Sequence, residues 1–181
     1  MLRYKCLNKQ EFQINEYKIV PIRLEDRYDI MKWRNEQMYH LRQSKILTVE
    51  DQDLYFENVV SKLFNQENPK QILFSYLEKD ICLGYGGLVN LDWENKSGEI
   101  SFLISTELEN QFFEKFWTSF LHMINLVAFK ILKFNKIYTY AYDLRPRLYT
   151  CLEKANFKLE RTIEESNGRV IIHSKYNTCA K

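Results

Sequence analysis

Residues 71–105 hold three β-type runs in close succession: QILFSYLE (71–78), ICLGYGGLVNL (81–91) and GEISFLIS (98–105). Only Lys79–Asp80 and the stretch from Asp92 to Ser97 separate them. Connections that short cannot carry a chain across a sheet, so consecutive runs must pair antiparallel as a meander. Gly84, Gly86 and Gly87 fall inside the second run, where glycine marks a bulge or a close backbone approach. Beyond the meander, from about 111 to 133, Phe112, Phe116, Phe120, Met123 or Ile124, Val127 and Ile131 recur at helical spacing as one apolar stripe. A strand, KIYTYAY (136–142), follows closely. Pro146 suits the first turn of another helix, running to about Ala155, because its missing N–H is not needed there. Runs 157–165 and 169–176 flank Ser166–Asn167–Gly168, and Asn-Gly between β-rich segments predicts a C-terminal β-hairpin.

Upstream, FQINEYKIVPIRL (12–24) alternates loosely like a strand, with Pro21 pointing to an edge position. Glu25 and Asp26 suit the positive end of a helix that carries Tyr28, Ile30, Met31, Trp33 and Arg34, with Trp33 expected in the core. Thr48 and Asp51 form a capping-box-like start for a second helix, with Leu54, Tyr55, Val59, Leu63 and Phe64 at helical spacing. The resulting order is β, α, α, β, β, β, α, β, α, β, β. That predicts a mixed α/β (α+β) architecture with a central, mostly antiparallel sheet flanked by helices. With 181 residues and no linker or repeat, the chain reads as one domain over 1–181, its first 16 residues an N-terminal extension.

Charge and composition exclude several function classes. Twenty-six basic residues stand against 24 acidic, a net charge of +2, which argues against a general nucleic-acid or polybasic membrane binder, since either needs a sustained positive surface. Cys6, Cys82, Cys151 and Cys179 are scattered, as are His40, His122 and His173, and no metal-ligand spacing occurs. The opening MLRYKCLNKQEF places charges where a signal peptide needs an apolar region. The uncharged run Phe116 to Phe129 is too short, and too often broken by polar residues, to span a bilayer. A cytoplasmic protein with reduced thiols, and no metal, is the expectation.

Several local words carry a family resemblance. IRLEDRYDIMKWRNE looks like the opening strand and first helix of the branch that includes ribosomal-protein acetyltransferases. GEISFLIS looks like a fourth strand, AFKILKFNKIYTY like a third helix and fifth strand, and LEKANF like a YEKLGF motif. Together and in this order, over about residues 18 to 176, they resemble the GCN5-related N-acetyltransferase (GNAT) superfamily. The resemblance implies acetyl-CoA as donor and an amine as acceptor. It also implies fourth and fifth strands that splay apart, so that the fourth-strand backbone at Phe102, Leu103 and Ile104 holds the pantetheine arm and polarises the thioester. Family members cradle the pyrophosphate in a glycine-rich turn opening the third helix. Carried over here, the glycine positions fall on Phe113, Lys115 and Trp117, or about three residues earlier, and neither register supplies a glycine. Glu107, Glu109 and Glu114 lie in the same stretch. The resemblance is therefore to a divergent member lacking that loop. The tyrosine of YEKLGF matches Leu152, and the preceding asparagine common in the family matches Arg145.

Acyl transfer to an amine needs a neutral amine, an acceptor for its proton and a donor for the developing oxyanion. Glu99, at the head of the fourth strand, is the first candidate for general base; the plainer reading is a solvated glutamate or one paired with an arginine. Asp143, just after the fifth strand, is a second candidate, with helix capping as its plainer role. Tyr149, one helical turn before Leu152, is the substitute proton donor. Arg145, Arg147 and Lys115 are candidates for a cationic clamp replacing the glycines. Arg34, Asn35 and His40 are candidates for the acceptor site, and Tyr138, Tyr140 and Tyr142 share one strand face. The expected function is N-acyl transfer from acetyl-CoA to a small-molecule amine, with a free or nucleotide-linked amino sugar favoured. The alternatives are a non-catalytic GNAT-fold binding module without CoA chemistry and a protein N-terminal acetyltransferase. Family habit adds a homodimer as an expected partner.

Overall fold

The computed structural model describes residues 2–178, so Cys179 lies outside the described residues. The run at 12–24 is not one strand. Asn15 takes a left-handed φ of 51° and folds it into a hairpin of β1 (Phe12–Ile14) and β2 (Tyr17–Pro21). Pro21 pairs with Phe74 on one side and lies beyond the short β1 on the other, so its missing N–H is harmless. Then come α1 (Arg27–Glu36), α2 (Val49–Tyr55), a wider π turn at Phe56–Val60, and α3 (Ser61–Leu63). Thr48 and Asp51 form the predicted capping box, each side chain bonded to the other's backbone N–H.

The buried stripe of this second helical stretch is Gln52, Phe56, Val60 and Leu63, whereas Leu54 and Val59 face solvent. These positions keep the ordinary helical spacing, and Leu63 and Phe64 are buried as expected; the difference is that the buried face starts from a polar residue, Gln52, which an apolar pattern does not pick out.

The meander forms as expected: β3 (Ile72–Glu78), β4 (Ile81–Asp92) and β5 (Ser97–Ile104). Next, α4 (Thr106–Asn125) begins one residue after β5, about five residues earlier than the apolar stripe indicates, and π turns Leu126–Ile131 extend it. Finally come β6 (Lys136–Tyr142), α5 (Pro146–Lys154), and the hairpin of β7 (Lys158–Glu165) and β8 (Gly168–Tyr176). The eight strands form one sheet in the order β1-β2-β3-β4-β5-β6-β8-β7, and only the β5–β6 pair is parallel. The mixed, mostly antiparallel sheet is therefore as expected.

The N-terminal extension is built into this sheet. Tyr4 is buried, and its hydroxyl donates to the Leu73 carbonyl (2.8 Å) while accepting from the Leu73 N–H (2.9 Å). Aromatic stacking fixes α4 to the sheet: the Phe102 ring lies flat on Phe120 (3.9 Å between centroids) and edge-on to Trp117 (5.1 Å). The Tyr76 hydroxyl, buried beneath them, pairs with Ser119 Oγ at 2.6 Å. Phe112, assigned to the buried stripe by its spacing, is 39% exposed and lies at the edge of that stripe, stacked on Phe116. Among the described residues no helix is long and apolar enough to cross a membrane, and no cluster of His, Cys, Asp or Glu has a metal-holding arrangement.

The glycines of β4 permit close approach to β5. A β-carbon at Gly86 would lie 2.2 Å from the Ser101 carbonyl oxygen and 2.8 Å from Phe102 Cα, both backbone atoms that cannot swing aside. Gly86→Ala is therefore expected to cost about 1–3 kcal/mol, as overpacking does. In a domain of this size that lowers Tm by roughly 2–10 °C, read by thermal circular dichroism. An unchanged Tm would refute the close approach.

Candidate active site

The pairing of β5 with β6 covers only three positions: Ser97 with Lys136, Gly98 with Ile137 and Glu99 with Tyr138. Past Glu99 the strands part, while β6 stays paired with β8 from Lys136 to Tyr142. A cavity of about 90 Å³ occupies the gap. Residues 99–102 of β5 and 139–142 of β6 form its sides, and Trp117, Leu148, Arg145 and the segment His40–Arg42 close it.

Strand alternation gives the cavity two different faces. Phe102 points to α4, and Thr139 shares a face with the core residue Ile137. Glu99, level with Tyr138, points to the other side, as does Tyr140. There the Glu99 carboxylate is 3% exposed, with one oxygen paired to the Arg42 guanidinium and the other accepting from Asn90 Nδ2 (2.8 Å). Arg42 in turn lies over the Tyr140 ring, 4.9 Å from its centroid. Burial pushes the Glu99 carboxyl above the ordinary glutamate range, while the Arg42 charge and the Asn90 hydrogen bond pull it back.

His40 belongs to the cavity wall as well. Gln37, buried at the end of α1, donates through Nε2 to the Ile104 carbonyl (2.8 Å) and to Thr106 Oγ1 (3.1 Å). Its own oxygen is then left to accept, so His40 Nε2, 3.2 Å away, is the protonated nitrogen and Nδ1 carries the lone pair.

On the α4 side, Arg145 and Arg147 converge on one oxygen of the buried Glu109, at 3.3 and 3.1 Å. Arg147 also lies over the Phe113 ring at 4.1 Å. Lys115 does not join them; it bonds Glu16 (2.8 Å) and sits over Tyr17, so a three-residue clamp is not formed. Neither register for the glycine positions holds. Phe113, Lys115 and Trp117 lie two to three turns inside α4, and positions three residues earlier are also helical, so their N–H groups serve the helix. In the first turn of this helix the N–H groups of Leu108 and Glu109 both bond the Ser105 carbonyl (3.0 Å each), and Glu107 and Glu109 stand where an anion would have to approach.

Other expected site residues lie elsewhere. The Tyr149 hydroxyl donates to Asp143 (2.8 Å), its ring stacks on His173, and neither Tyr149 nor Asp143 is in the cavity wall. Asp143 does not cap α5 either, whose N-cap is Arg145. Arg34 bonds Gln43 (3.0 Å) and the Tyr85 hydroxyl (2.7 Å), and Asn35 grips Leu47 through both its backbone groups (2.8 and 2.9 Å). These two anchor the loop bearing Arg42 instead of facing the cavity. Of the three strand residues expected to hold a donor, Phe102 lines the cavity, whereas Leu103 and Ile104 do not, and the Ile104 carbonyl is taken by Gln37. Arg42 escaped the sequence reading because a lone arginine in an irregular loop has no period or spacing. Thr139 did offer a signal, a hydroxyl on an otherwise apolar strand face.

A family model of the acetyltransferase (GNAT) domain matches residues 19–163. The chain belongs to the GNAT acetyltransferase family. Among solved structures, spermidine N-acetyltransferase from Vibrio cholerae, in complex with CoA and spermine, matches with a TM-score of 0.76 at 16% identity, over 90% of this chain and 96% of that one. A ribosomal-protein-S5-alanine acetyltransferase from Vibrio fischeri matches with a TM-score of 0.74 at 15% identity, over 96% of this chain and all (100%) of the other. Comparison with curated proteins gives no match. At these identities the structural likeness is one of fold, and in GNAT terms β5 and β6 are the splayed fourth and fifth strands.

Within this GNAT domain His40 is held neutral. Burial, then the nearby charges of Arg145 and Arg147, push its pKa down from 6.5 to about 3. The unfolded chain takes up that proton first, so the stability His40 contributes is complete above pH 6.5 and is lost as pH falls toward 3, by at most about 1.4 kcal/mol per pH unit. Thermal melts should show Tm falling steadily below pH 6.5, and His40→Asn, which cannot take a proton, should flatten the slope. Parallel slopes in the two proteins would rule His40 out.

Proposed function

We propose that this domain transfers an acetyl group from acetyl-CoA to the amine of a small, hydroxyl-rich molecule of the amino-sugar class, with Glu99 as general base. The observation that carries the reading is a buried carboxylate of raised pKa in the gap between β5 and β6, on the face opposite α4. A donor placed on the α4 side and an amine on the Glu99 side would meet through that gap. The unpaired edge of β5 at Ile100–Phe102 fits the amide-bearing arm of CoA, and Arg145 and Arg147 fit its phosphates, two guanidinium groups against the single Glu109 carboxylate. As the amine nitrogen bonds to the acyl carbon, Glu99 accepts the proton it sheds. The carbon–sulfur bond breaks, and the departing thiolate recovers a proton through solvent. Tyr149 is left out of this scheme because its hydroxyl is committed to Asp143.

The acceptor class is supported by a groove that continues from Arg42. Tyr39, Arg42, Gln43, Ser44, Tyr142 and Asn167 contribute to it, and no carboxylate lines it among the described residues. A polyamine would find no counter-charge there, while a polyol, with or without a phosphate, finds hydroxyl, amide and guanidinium partners. One observation favours a second reading, a binding module without CoA chemistry: Glu109 already occupies the arginine pair.

Calorimetric titration with acetyl-CoA separates the two, with micromolar binding expected and absence of binding at millimolar concentration favouring the second. With an amino-sugar acceptor, Glu99→Gln should lower kcat by about 10²–10⁴-fold while leaving acetyl-CoA affinity unchanged. The acid limb of kcat/KM should lie above the ordinary glutamate range in the parent protein and vanish in the variant. An unaltered limb would remove Glu99 from the mechanism.

A further inference from the structure

Two residues that line the cavity each carry a buried polar atom without a hydrogen-bond partner among the described residues, the indole Nε1 of Trp117 and the hydroxyl of Thr139. Each residue is only 3% exposed. Tyr76 is matched by Ser119 and Gln37 by Ile104, whereas His173 Nδ1, on the residue paired with Thr139 across β6 and β8, is also without a partner among the described residues. A buried donor left unsatisfied typically costs about 1–3 kcal/mol, and Phe or Val would fill these positions without that cost. Both residues belong to the α4 face of the splay, across the gap from Glu99. Trp117 is edge-on to Phe102, whose backbone forms the unpaired edge of β5.

We infer that the Trp117 Nε1–H and the Thr139 hydroxyl are side-chain donors for the acyl carbonyl of the donor substrate. An indole nitrogen only donates, so its partner must bear an acceptor, which an ammonium lacks. A full anion would be drawn to Arg145 instead, whereas a neutral carbonyl needs no counter-charge and gains hydrogen-bond strength as negative charge develops on its oxygen. The cavity of about 90 Å³ has room for several waters, and so for the carbonyl end of a thioester. The proposal rests on the acetyltransferase reading for the identity of the donor, but its chemistry asks only for a thioester carbonyl.

The test uses nuclear magnetic resonance of the tryptophan indole N–H groups, with the Trp117 signal assigned by its loss in Trp117→Phe. Two probes are added separately: acetyl-CoA, and S-acetyl-N-acetylcysteamine, which keeps the thioester but has no phosphate. Both should move the Trp117 signal. Thr139→Val should hold or raise Tm while lowering kcat with acetyl-CoA about 10–100-fold, opposite signs that a purely structural threonine would not give. Turnover of acetyl-CoA with a stationary Trp117 signal and an unimpaired Thr139→Val would overturn this inference and leave the acetyltransferase reading standing. A signal moved by the short thioester alone, with no CoA binding or turnover, would overturn that reading and support the carbonyl site. A signal moved by neither probe, with no CoA binding and no turnover, would overturn both.

Discussion

The parting of β5 from β6 after three paired residues is the constraint on which the site depends. Backbone N–H and C=O groups in a protein interior must be paired, and a strand that loses its neighbour halfway has to find other partners. The two strands solve this differently. β6 turns wholly to β8, and β5 keeps β4, whose glycines let the two backbones approach closely. At the far end of β5 the side chain of Gln37 supplies a donor to the Ile104 carbonyl. What remains is the edge at Ile100–Phe102, and the cavity has formed against it.

Charge is sorted by the same geometry. Because side chains alternate along a strand, the gap separates a face bearing Glu99 and Arg42 from one bearing Trp117, Thr139 and Arg145. Acyl transfer benefits from such sorting, since a proton acceptor is needed on the amine's side and hydrogen-bond donors on the carbonyl's side. The buried Gln37–His40 pair lies between the two, and holding His40 neutral keeps a further positive charge away from Arg145.

The fold was legible where local physics dominates. Short turns dictated the meander, Thr48 and Asp51 dictated a helix start, and Asn167–Gly168 dictated a hairpin. It became illegible where the chain turned or a polar residue joined the buried face. Asn15 splits a seemingly continuous strand, and the second helical stretch buries Gln52, Phe56 and Val60 where the apolar pattern picks out Leu54 and Val59. The candidate site followed the same division. Glu99, Phe102, His40 and Arg145 reach the cavity because their strand or turn positions could be read. Tyr149 and Lys115 were placed by sequence spacing alone, and both point to partners elsewhere, Asp143 and Glu16. Arg42 depends on a loop held by Asn35 and Arg34, a tertiary arrangement that no periodicity encodes.

Glu109 is best understood through the arginines it holds. Arg145 is nearly buried and Arg147 is half-exposed, and two guanidinium groups facing one spot repel each other unless an anion lies between them. Glu109 supplies that anion from the chain itself. A carboxylate in the first turn of α4 also complements the helix dipole, so Glu109 is stabilised twice where a glycine would contribute nothing. It carries one negative charge, less than a diphosphate, and it touches each arginine through a single oxygen at 3.1–3.3 Å, leaving other guanidinium donors free for a second acceptor. The arrangement holds two cations in place in the absence of ligand without exhausting them.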